Sequence, residues 1–229
     1  EENIFIEPGA TVLAAVLNAQ SGPIYLGKNS IIQEGVVIRG SFALGENAQI
    51  NMGAKIRGDT TVGPYSKVGG EVSNSVVFGN SNKAHDGYLG NSVLGEWVNL
   101  GAGTNTSNLK NNYDTVKLWS HAENKYKNTG LQFCGLMMGD HSKSGISTMF
   151  NTGTVVDVCA NIYGGGLPPN YIPSFAWGGA QGFTAYRIDK ALETINKVME
   201  RRNVDFSEDD KDILLHLYKM VGERKVMEK

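Results

Sequence analysis

Aliphatic residues recur at every sixth position along an early block of the chain, without interruption. The series is Leu26, Ile32, Ile38, Leu44, Ile50, Ile56, Val62 and Val68. A period of six fits neither an α-helix nor a sheet of hairpins. It predicts a parallel β-helix wound as a triangular prism, in which each hexad supplies one short strand and one corner. Three hexads then form a coil, and coils stack at about 4.8 Å.

The positions around each aliphatic residue complete the hexad. Four positions later stand mostly small residues, which we expect to share the axis of the prism: Ser30, Val36, Phe42, Ala48, Ala54, Thr60, Ser66 and Val72. Directly after each aliphatic residue come Gly27, Gln33, Arg39, Gly45, Asn51, Arg57, Gly63 and Gly69. Because Gly and Asn tolerate left-handed backbone angles, the pattern predicts that the corner falls at this last position.

The six-residue phase continues on both sides of this block, with slips. It is present earlier at Ile6 and Val12, and it returns later at Leu94, Leu100, Met138, Phe150, Val156 and Ile162. A polar insertion at about residues 110–132 separates Leu100 from Met138 and contains Trp119 and Tyr126. We predict an ordered arm outside the prism, with these two rings packing it against a neighbouring subunit.

The period becomes helical after Phe183. Apolar residues share one face of a first predicted helix at Ile188, Leu192, Ile195, Val198 and Met199. Ser207 and Asp210 resemble a capping box that begins a second helix, which carries Ile213, Leu214, Leu217 and Tyr218. The pattern therefore predicts a β-helix domain at residues 1–175 and a helical cap at 176–229, with the helices closing the open end of the solenoid.

Composition narrows the class of protein. The 229 residues carry a net charge of −2, which gives no electrostatic case for nucleic acid or an anionic membrane. The 29 glycines fall in register with aliphatic residues, which indicates order. The two cysteines, Cys134 and Cys159, are too few for a disulfide framework, which favours a reducing cytoplasm. We expect both to be small buried apolar residues. Because the chain enters its repeat almost at once, we expect the C-terminal part of a longer protein.

The segment 82–90 departs from the hexad pattern. Extending the phase back from Leu94 puts Asn82 and Tyr88 at inward positions and His85 midway between them, pointing outward. One 18-residue coil later lies Gly103, in a glycine-rich stretch. The phase thus predicts a histidine about one ladder step from backbone amides, which suits a general base beside donors for an oxyanion.

At this point the sequence resembles a known family. The segments His85-Asp86-Gly87-Tyr88-Leu89-Gly90 and Asn99-Leu100-Gly101-Ala102-Gly103-Thr104, followed by Asn108, match an ordered block without gaps. The family's pattern is His-x-x-Tyr-x-Gly, then Asn-[Ile/Leu]-Gly-Ala-Gly-Thr, then Asn. It is typical of the C-terminal acetyltransferase domain of bifunctional sugar-1-phosphate acetyltransferase/nucleotidylyltransferases, the GlmU family.

The resemblance implies a left-handed β-helix and a homotrimer whose active sites are shared between subunits. It implies N-acetylation of an amino-sugar 1-phosphate by acetyl-CoA, without a metal, in the cytoplasmic synthesis of UDP-N-acetylglucosamine. It also implies an N-terminal nucleotidyltransferase domain. By the same resemblance His85 is the catalytic base. The substrate would be held by Arg57, Tyr88, Asn99, Asn108 and Lys110, and acetyl-CoA by Ala102, Asp140 and Tyr163.

Departures from the family leave some assignments open. One lysine of the family's pattern is replaced by Ser73 in this chain. A second family lysine, which follows the second asparagine, has no direct counterpart, and Lys110 is the nearest substitute for it. Arg57 matches the family's phosphate-binding arginine only across a two-residue gap, and it repeats the hexad position of Arg39 as an exposed residue would. Asn99 and Asn108 could instead be corner residues with left-handed backbone. His121, His141 and His216 receive no catalytic role, although His141 is near the expected acetyl-CoA groove.

Two other functions compete on this architecture. A zinc carbonic anhydrase of the γ class needs three histidines. His85 and His121 have a suggestive separation, but Tyr126 stands at the third position. The second alternative is a non-catalytic trimerisation or sugar-binding module of a sugar nucleotidyltransferase. Turnover of acetyl-CoA separates the enzyme from the module.

Overall fold

The computed structural model describes residues 2–227, with the backbone alone for 223–227. The first strands are β1 (Ile4–Ile6), β2 (Thr11–Val12), β3 (Val16–Asn18), β4 (Ile24–Leu26), β5 (Ile31–Ile32), β6 (Val37–Arg39), β7 (Phe42–Leu44), β8 (Gln49–Ile50), β9 (Lys55–Arg57), β10 (Thr60–Val62), β11 (Lys67–Val68), β12 (Glu71–Ser73), β13 (Val76–Val77) and β14 (Asn82–Lys83). Then follow β15 (Tyr88–Gly90), β16 (Val93–Leu94), β17 (Asn99–Leu100), β18 (Asn105–Thr106), β19 (Lys117–Ser120), β20 (Lys125–Asn128), β21 (Met137–Met138), β22 (Lys143–Ser144), β23 (Met149–Phe150), β24 (Val155–Val156), β25 (Asn161–Ile162), β26 (Tyr171–Ile172), β27 (Ala176–Gly179), β28 (Gly182–Ala185), α1 (Ile188–Glu200) and α2 (Glu208–Met227).

The strands wind as a prism with three faces. Face A contains, in order, β1, β4, β7, β10, β13, β16, β21, β24 and β26. Face B contains β2, β5, β8, β11, β14, β17, β22, β25, β27 and β28. Face C contains β3, β6, β9, β12 and β15, and β18 pairs with β23 farther along. The predicted fold class, a left-handed parallel β-helix of hexapeptide repeats with an inserted arm and two C-terminal α-helices, is confirmed.

The core of the prism follows the repeat. All eight aliphatic residues from Leu26 to Val68 are at most 2% exposed, and the residues four positions after them are at most 3% exposed. Both predicted inward sets are confirmed. Burying one Val, Leu or Ile side chain stabilises a fold by about 1.5–3 kcal/mol, so this regular block is a strong source of stability.

The predicted position of the left-handed corner is wrong. Residues with positive φ lie two or three positions after each aliphatic residue: Asn29, Gly35, Gly40, Asn47, Gly53, Gly58, Tyr65 and Gly70. The position directly after the aliphatic residue serves a different purpose, because its backbone approaches the next coil closely. A Cβ added at Gly27 would lie 2.9 Å from backbone atoms of that coil, and one at Gly45 would lie 2.6 Å away. Glycine there permits close stacking.

Coil length changes after the regular block. On face A, Val62 pairs with Val77 and Val77 pairs with Leu94, so these coils advance by fifteen and seventeen residues instead of eighteen. Each missing residue shortens a corner, while the parallel pairing between neighbouring coils continues unchanged. The phase at Leu94 therefore cannot be extended back unchanged through the preceding coil.

The inward positions of segment 82–90 consequently differ from the prediction. Lys83 and Leu89 are buried at 2% and 0% exposure, whereas Asn82 and Tyr88 lie outside the core and are half-buried. The prediction that Asn82 and Tyr88 point inward is wrong by one position. The physical reason is the short corner before Leu94, which shifts the alternation of side chains by one residue.

The arm is an ordered antiparallel hairpin of β19 and β20. Trp119 stacks on Tyr171 of face A with ring centroids 4.3 Å apart, and Tyr126 meets the edge of Trp119 at 5.3 Å. The arm therefore packs back against its own chain. Contact with a neighbouring subunit stays a prediction.

The prediction that the two helices close the open end of the prism is wrong, because they pack along the corner between faces A and B. Ala191, Ile195 and Met199 of α1 and Leu214 of α2 form an apolar cluster with three corner residues: Trp97, Cys159 and Phe175. The Ser207 hydroxyl accepts a hydrogen bond from the N–H of Asp210 at 3.1 Å, which confirms the predicted start of α2. Neither helix, as far as it is described, is long and apolar enough to cross a membrane.

The end of the solenoid is covered by a strand. β27 adds to face B in parallel, and β28 turns back and pairs with it antiparallel. Strands therefore continue through Ala185, beyond residue 175, where the sequence pattern placed the domain boundary. Because β28 occupies one side of β27, this edge of face B is paired without help from the helices.

Candidate functional site

His85 lies at an exposed corner between β14 and β15, where the chain passes from face B to face C. Asn82 pairs with Asn99 in the neighbouring coil, so the offset between the coils is seventeen residues. His85 is therefore in register with Ala102, one ladder step of about 4.8 Å away. The prediction that Gly103 lies opposite His85 is wrong by one residue, for the same reason as the phase shift.

The amides opposite His85 are not equally available. The Gly103 N–H donates to the carbonyl of Asp86 at 3.0 Å, and the Gly101 N–H donates to the carbonyl of Ser144 at 3.0 Å. In the part of the chain that the structure describes, the Ala102 N–H donates to no other group. Ala102 thus offers a free amide donor beside the histidine, which is what an oxyanion requires.

A strip without large side chains runs along this corner between faces B and C, and we call it the glycine edge. It comprises Gly69, Ala84, Gly101 and Gly145 in successive coils. A Cβ added at Gly145 would lie 3.4 Å from the Cβ of Tyr163, which continues the edge in the next coil. Because three ladder steps span about 14 Å, the edge offers an extended strip of backbone from the coil of His85 to Tyr163.

Tyr88 and Asn108 are brought together on face C. The Asn108 amide donates to the Tyr88 hydroxyl at 3.0 Å and to the carbonyl oxygen of the Asn91 side chain at 2.7 Å. Tyr88 lies over Gly90, where an added Cβ would be 2.6 Å from the ring. The Tyr88 hydroxyl accepts one bond and keeps its own proton to donate. The pair can therefore present a donor to a sugar hydroxyl or phosphate.

Arg57 lies on the same face and is already paired. Its guanidinium donates to the Glu71 carboxylate at 2.6 Å, with the two side chains 61% and 37% exposed. Glu71 is in register with Tyr88, one coil away. A groove of about 300 Å³ on this face is bordered by Glu71, Tyr88, Asp86 and Asn105. A phosphate that binds Arg57 would have to compete with Glu71.

Asn99 and Lys110 are not part of this cluster in a single chain. Asn99 lies on face B, in register with Asn82 and Lys143, and so on a different face from Tyr88. The Lys110 ammonium donates to the carbonyl of Thr115 at 2.8 Å at the base of the arm. The alternative use of asparagine as a corner residue is wrong for both Asn99 and Asn108, because neither has positive φ. Substrate contact by either stays a prediction.

The three residues assigned to acetyl-CoA are divided between two corners. Ala102 directly follows Gly101 of the glycine edge, Tyr163 continues that edge, and Tyr163 is 46% exposed. Asp140 lies at the corner between faces A and B, where its carboxylate accepts a hydrogen bond from the Glu96 N–H at 2.8 Å. Two of the three predicted contacts therefore lie on one continuous surface with His85, and Asp140 does not.

Sequence reasoning missed two residues that shape the site. The Asn105 side chain accepts a hydrogen bond from the Tyr88 N–H at 2.9 Å and donates to the Gly103 carbonyl at 2.8 Å. Lys83 lies inside the prism beneath His85, and its burial lowers its pKa from 10.5 to about 8, opposed by the charge of Asp86. Counting six positions back from Leu89 would have found Lys83.

The other histidines lie apart from this site. His121 of the arm contacts the Asp157 carboxylate at 3.0 Å, beside a cavity of about 810 Å³ between the arm, face A and α2. His141 is stacked against Trp97, and burial is the main cause that lowers its pKa from 6.5 to about 4. Among the described residues, no three His, Cys, Asp or Glu side chains are grouped to hold a metal ion.

Known proteins share parts of this sequence, although no family model matches it. A bifunctional sugar-1-phosphate nucleotidylyltransferase/acetyltransferase of Sulfurisphaera tokodaii is 33% identical over 97 residues, 42% of this chain and 24% of that enzyme. The bifunctional protein GlmU of a Picosynechococcus strain is 34% identical over 150 residues, 65% of this chain and 24% of that protein. The sequence resemblance to the GlmU family is confirmed. The chain spans about a quarter of the length of these relatives.

Solved structures similar to this chain have low scores. The UDP-N-acetylglucosamine O-acyltransferase of Moraxella catarrhalis matches with a TM-score of 0.31 and 14% identity, covering 88% of this chain and 91% of that one. The polysialic-acid-specific acetyltransferase NeuO matches with a TM-score of 0.31 and 15% identity, covering 86% and 100%.

Proposed function

We propose that this chain is an acyltransferase of sugar metabolism that transfers the acetyl group of acetyl-CoA to the amine of an amino-sugar 1-phosphate. The observation that carries the proposal is the exposed imidazole of His85 one ladder step from the free N–H of Ala102. The names of the GlmU-type relatives supply the substrate class. In this proposal the product serves UDP-N-acetylglucosamine synthesis in the cytoplasm, and a nucleotidyltransferase domain precedes the chain in the whole protein.

The chemistry follows from these two groups. The neutral amine of the sugar attacks the thioester carbonyl, and a C–N bond forms while His85 accepts the proton that the nitrogen loses. Negative charge develops on the carbonyl oxygen, where the Ala102 N–H stabilises it. Collapse of the intermediate breaks the C–S bond, and the CoA thiolate takes the proton from His85. The reaction is balanced without a metal or redox partner.

Substrate binding is assigned to the surfaces on either side of His85. On face C, Tyr88 and Asn108 would hold the sugar, and Arg57 would exchange Glu71 for the phosphate. A bidentate arginine suits a phosphate dianion. Along the glycine edge the pantetheine arm of acetyl-CoA would run past Ala102 toward Tyr163. The absence of side chains there lets a thin ligand lie against backbone.

The division of the predicted residues between faces supports a shared site in a homotrimer. Asn99 lies on face B and the Tyr88 cluster on face C of the same chain, and Asp140 lies at the corner between faces A and B. Side-by-side packing of copies would bring one chain's face B to another chain's face C. We therefore expect sedimentation equilibrium to give three times the chain mass of 24.7 kDa. A monomer would contradict a shared site.

Acetyl transfer to glucosamine-1-phosphate and to galactosamine-1-phosphate, measured side by side, tests the function. We expect release of CoA with at least one of them. If acetyl-CoA is not consumed with either sugar while the chain is folded and trimeric, the catalytic proposal fails. In that outcome the non-catalytic trimerisation or sugar-binding module takes its place.

A further inference from the structure

Lys83 occupies a position that the repeat reserves for an apolar side chain. It is in register with Val68 in one adjacent coil, points into the prism and is 2% exposed. Lysine is rarely buried without a partner, because its charged form loses hydration. A lysine in the interior of a prism therefore costs stability, and the position requires an explanation other than packing.

The ammonium group reaches out from the interior to the corner that carries His85. The Lys83 Nζ donates to the backbone carbonyl of His85 at 2.5 Å. Gly70 of the adjacent coil leaves the space that it occupies, since a Cβ added there would lie 2.8 Å from Nζ. Among the described residues, Asp86 of the same corner is the charged side chain whose field acts on Lys83. The ammonium thus lies directly beneath the proposed base.

The backbone of this corner is held at each successive carbonyl. The Asn51 amide donates to the carbonyl of Ala84 at 2.7 Å, and the Gly103 N–H donates to that of Asp86 at 3.0 Å. Between them, the carbonyl of His85 is bound by the buried lysine. A hydrogen bond from a charged donor is roughly twice as strong as one between neutral groups. The strongest of the three restraints therefore acts on the residue that carries the imidazole.

Resting on the proposed function, we propose that Lys83 is a positioning residue for His85. From inside the prism its ammonium fixes the His85 carbonyl and thereby the direction of the imidazole relative to the Ala102 amide. It contacts neither substrate nor cofactor. Displacement of a catalytic group by about 1 Å can cost about 100-fold in rate, so a restraint at this point affects kcat.

Replacement of Lys83 by Met in the full chain tests this inference, because Met keeps an unbranched side chain and removes the donor. With acetyl-CoA and glucosamine-1-phosphate, we expect kcat to fall by about 10- to 100-fold while both KM values stay unchanged. The wild-type kcat should decrease as the pH rises through about 8, where the ammonium loses its charge and the hydrogen bond weakens. Lys83→Met should lack that decrease.

Two variants serve as matched comparisons. Asn51→Ala frees the neighbouring carbonyl without removing a titratable group, so it should lower kcat and keep the pH dependence. Lys143 makes the same kind of bond, to the carbonyl of His141 at 3.2 Å, at the corner between faces A and B and not at the corner that carries His85. Lys143→Met should leave kcat and its pH profile unchanged. If Lys83→Met keeps the wild-type kcat and pH profile, the inference is overturned while the proposed function stands.

A measurement on the wild type decides the question if Lys83→Met does not fold or if acetyl transfer is not found. NMR of the full chain can follow the Lys83 side chain and the amides of His85 and Asp86 through a pH titration. We expect those amide shifts to follow the Lys83 titration with a common midpoint. Amides that do not respond would overturn the positioning role, whatever the activity of the chain.

Discussion

The regular block from Leu26 to Val68 and the coil from Val77 to Leu94 belong to one prism but fill it differently. In the block each inward hexad position carries an aliphatic residue that is at most 2% exposed. In the later coil one such position carries Lys83, and a corner is one residue short. The backbone ladder is the same in both regions. The backbone therefore preserves the coil structure in both regions. The proposed site lies where the inward side chains depart from the aliphatic pattern.

The difference between the regions also lies in the space beside each inward side chain. At Gly70 the gap next to the ladder receives the ammonium of Lys83. Gly58, in the regular block, stands in the same relation to Val72 of the next coil, and there the space is filled by the side chain of Asn74. An inward lysine is consequently accommodated at position 83 and not at position 72, although both positions face the same core.

The largest effect is expected when a lysine is placed at an inward position whose neighbouring gap is filled. Val72→Lys would bury an ammonium without space to receive it, because the side chain of Asn74 occupies the gap at Gly58. We expect a loss of more than about 4 kcal/mol in the free energy of unfolding, measured by urea denaturation. A variant with the wild-type midpoint would show that the coils do not differ in this respect.

A smaller effect should distinguish Lys83 by its pH dependence. Burial lowers its pKa from 10.5 to about 8, so between these values the unfolded chain holds a proton that the folded chain lacks. Stability should therefore rise with pH across this window, and below about pH 8 the wild type bears the full cost of the buried charge. Relative to Lys83→Met, wild-type stability should increase by about 3 kcal/mol between the two pH values.

Denaturation of both proteins in urea at the two ends of that window checks this expectation. The comparison uses the difference between the proteins because other buried groups, such as Cys159, also titrate at high pH. Equal changes in the wild type and in Lys83→Met would mean that Lys83 is not protonated differently in the folded and unfolded chains.

The smallest effect on stability is expected at Arg57. Its bond to Glu71 is exposed, and exposed ion pairs contribute about 0–1 kcal/mol. Arg57→Gln should therefore leave the midpoint of urea unfolding almost unchanged while raising the KM for the sugar phosphate. An unchanged KM would remove Arg57 from the substrate site and leave it as a surface residue like Arg39.

Much of the fold was predictable because the repeat is an explicit code for inward positions. The aliphatic series identified the core, and the same six-residue phase located the coils before and after the arm. Ser207 with Asp210 identified the start of α2. The placement of the helices was not predictable, since their apolar faces fit either the end of the prism or a corner. Only the contacts of Trp97 and Phe175 reveal the choice.

The sequence identified residues of the candidate site more accurately than it predicted which of them lie opposite one another. The matched block identified His85 and Ala102, but the count of eighteen residues per coil put Gly103 opposite the histidine. A corner short by one residue leaves little trace in the sequence, because corners tolerate many residues. Lys83 was missed for the same reason: it is inward only when the phase is counted from Leu89 and not from Leu94.

The most direct test of the central claim is the acetyl-transfer rate of His85→Ala compared with the wild type under saturating acetyl-CoA and amino-sugar 1-phosphate. Loss of a general base typically costs about 10²- to 10⁴-fold, and the account predicts a decrease in kcat within that range. Because His85 is exposed, thermal stability and the mass of the assembly should stay near wild type. Full activity of a folded His85→Ala protein would contradict the assignment of His85 as the base.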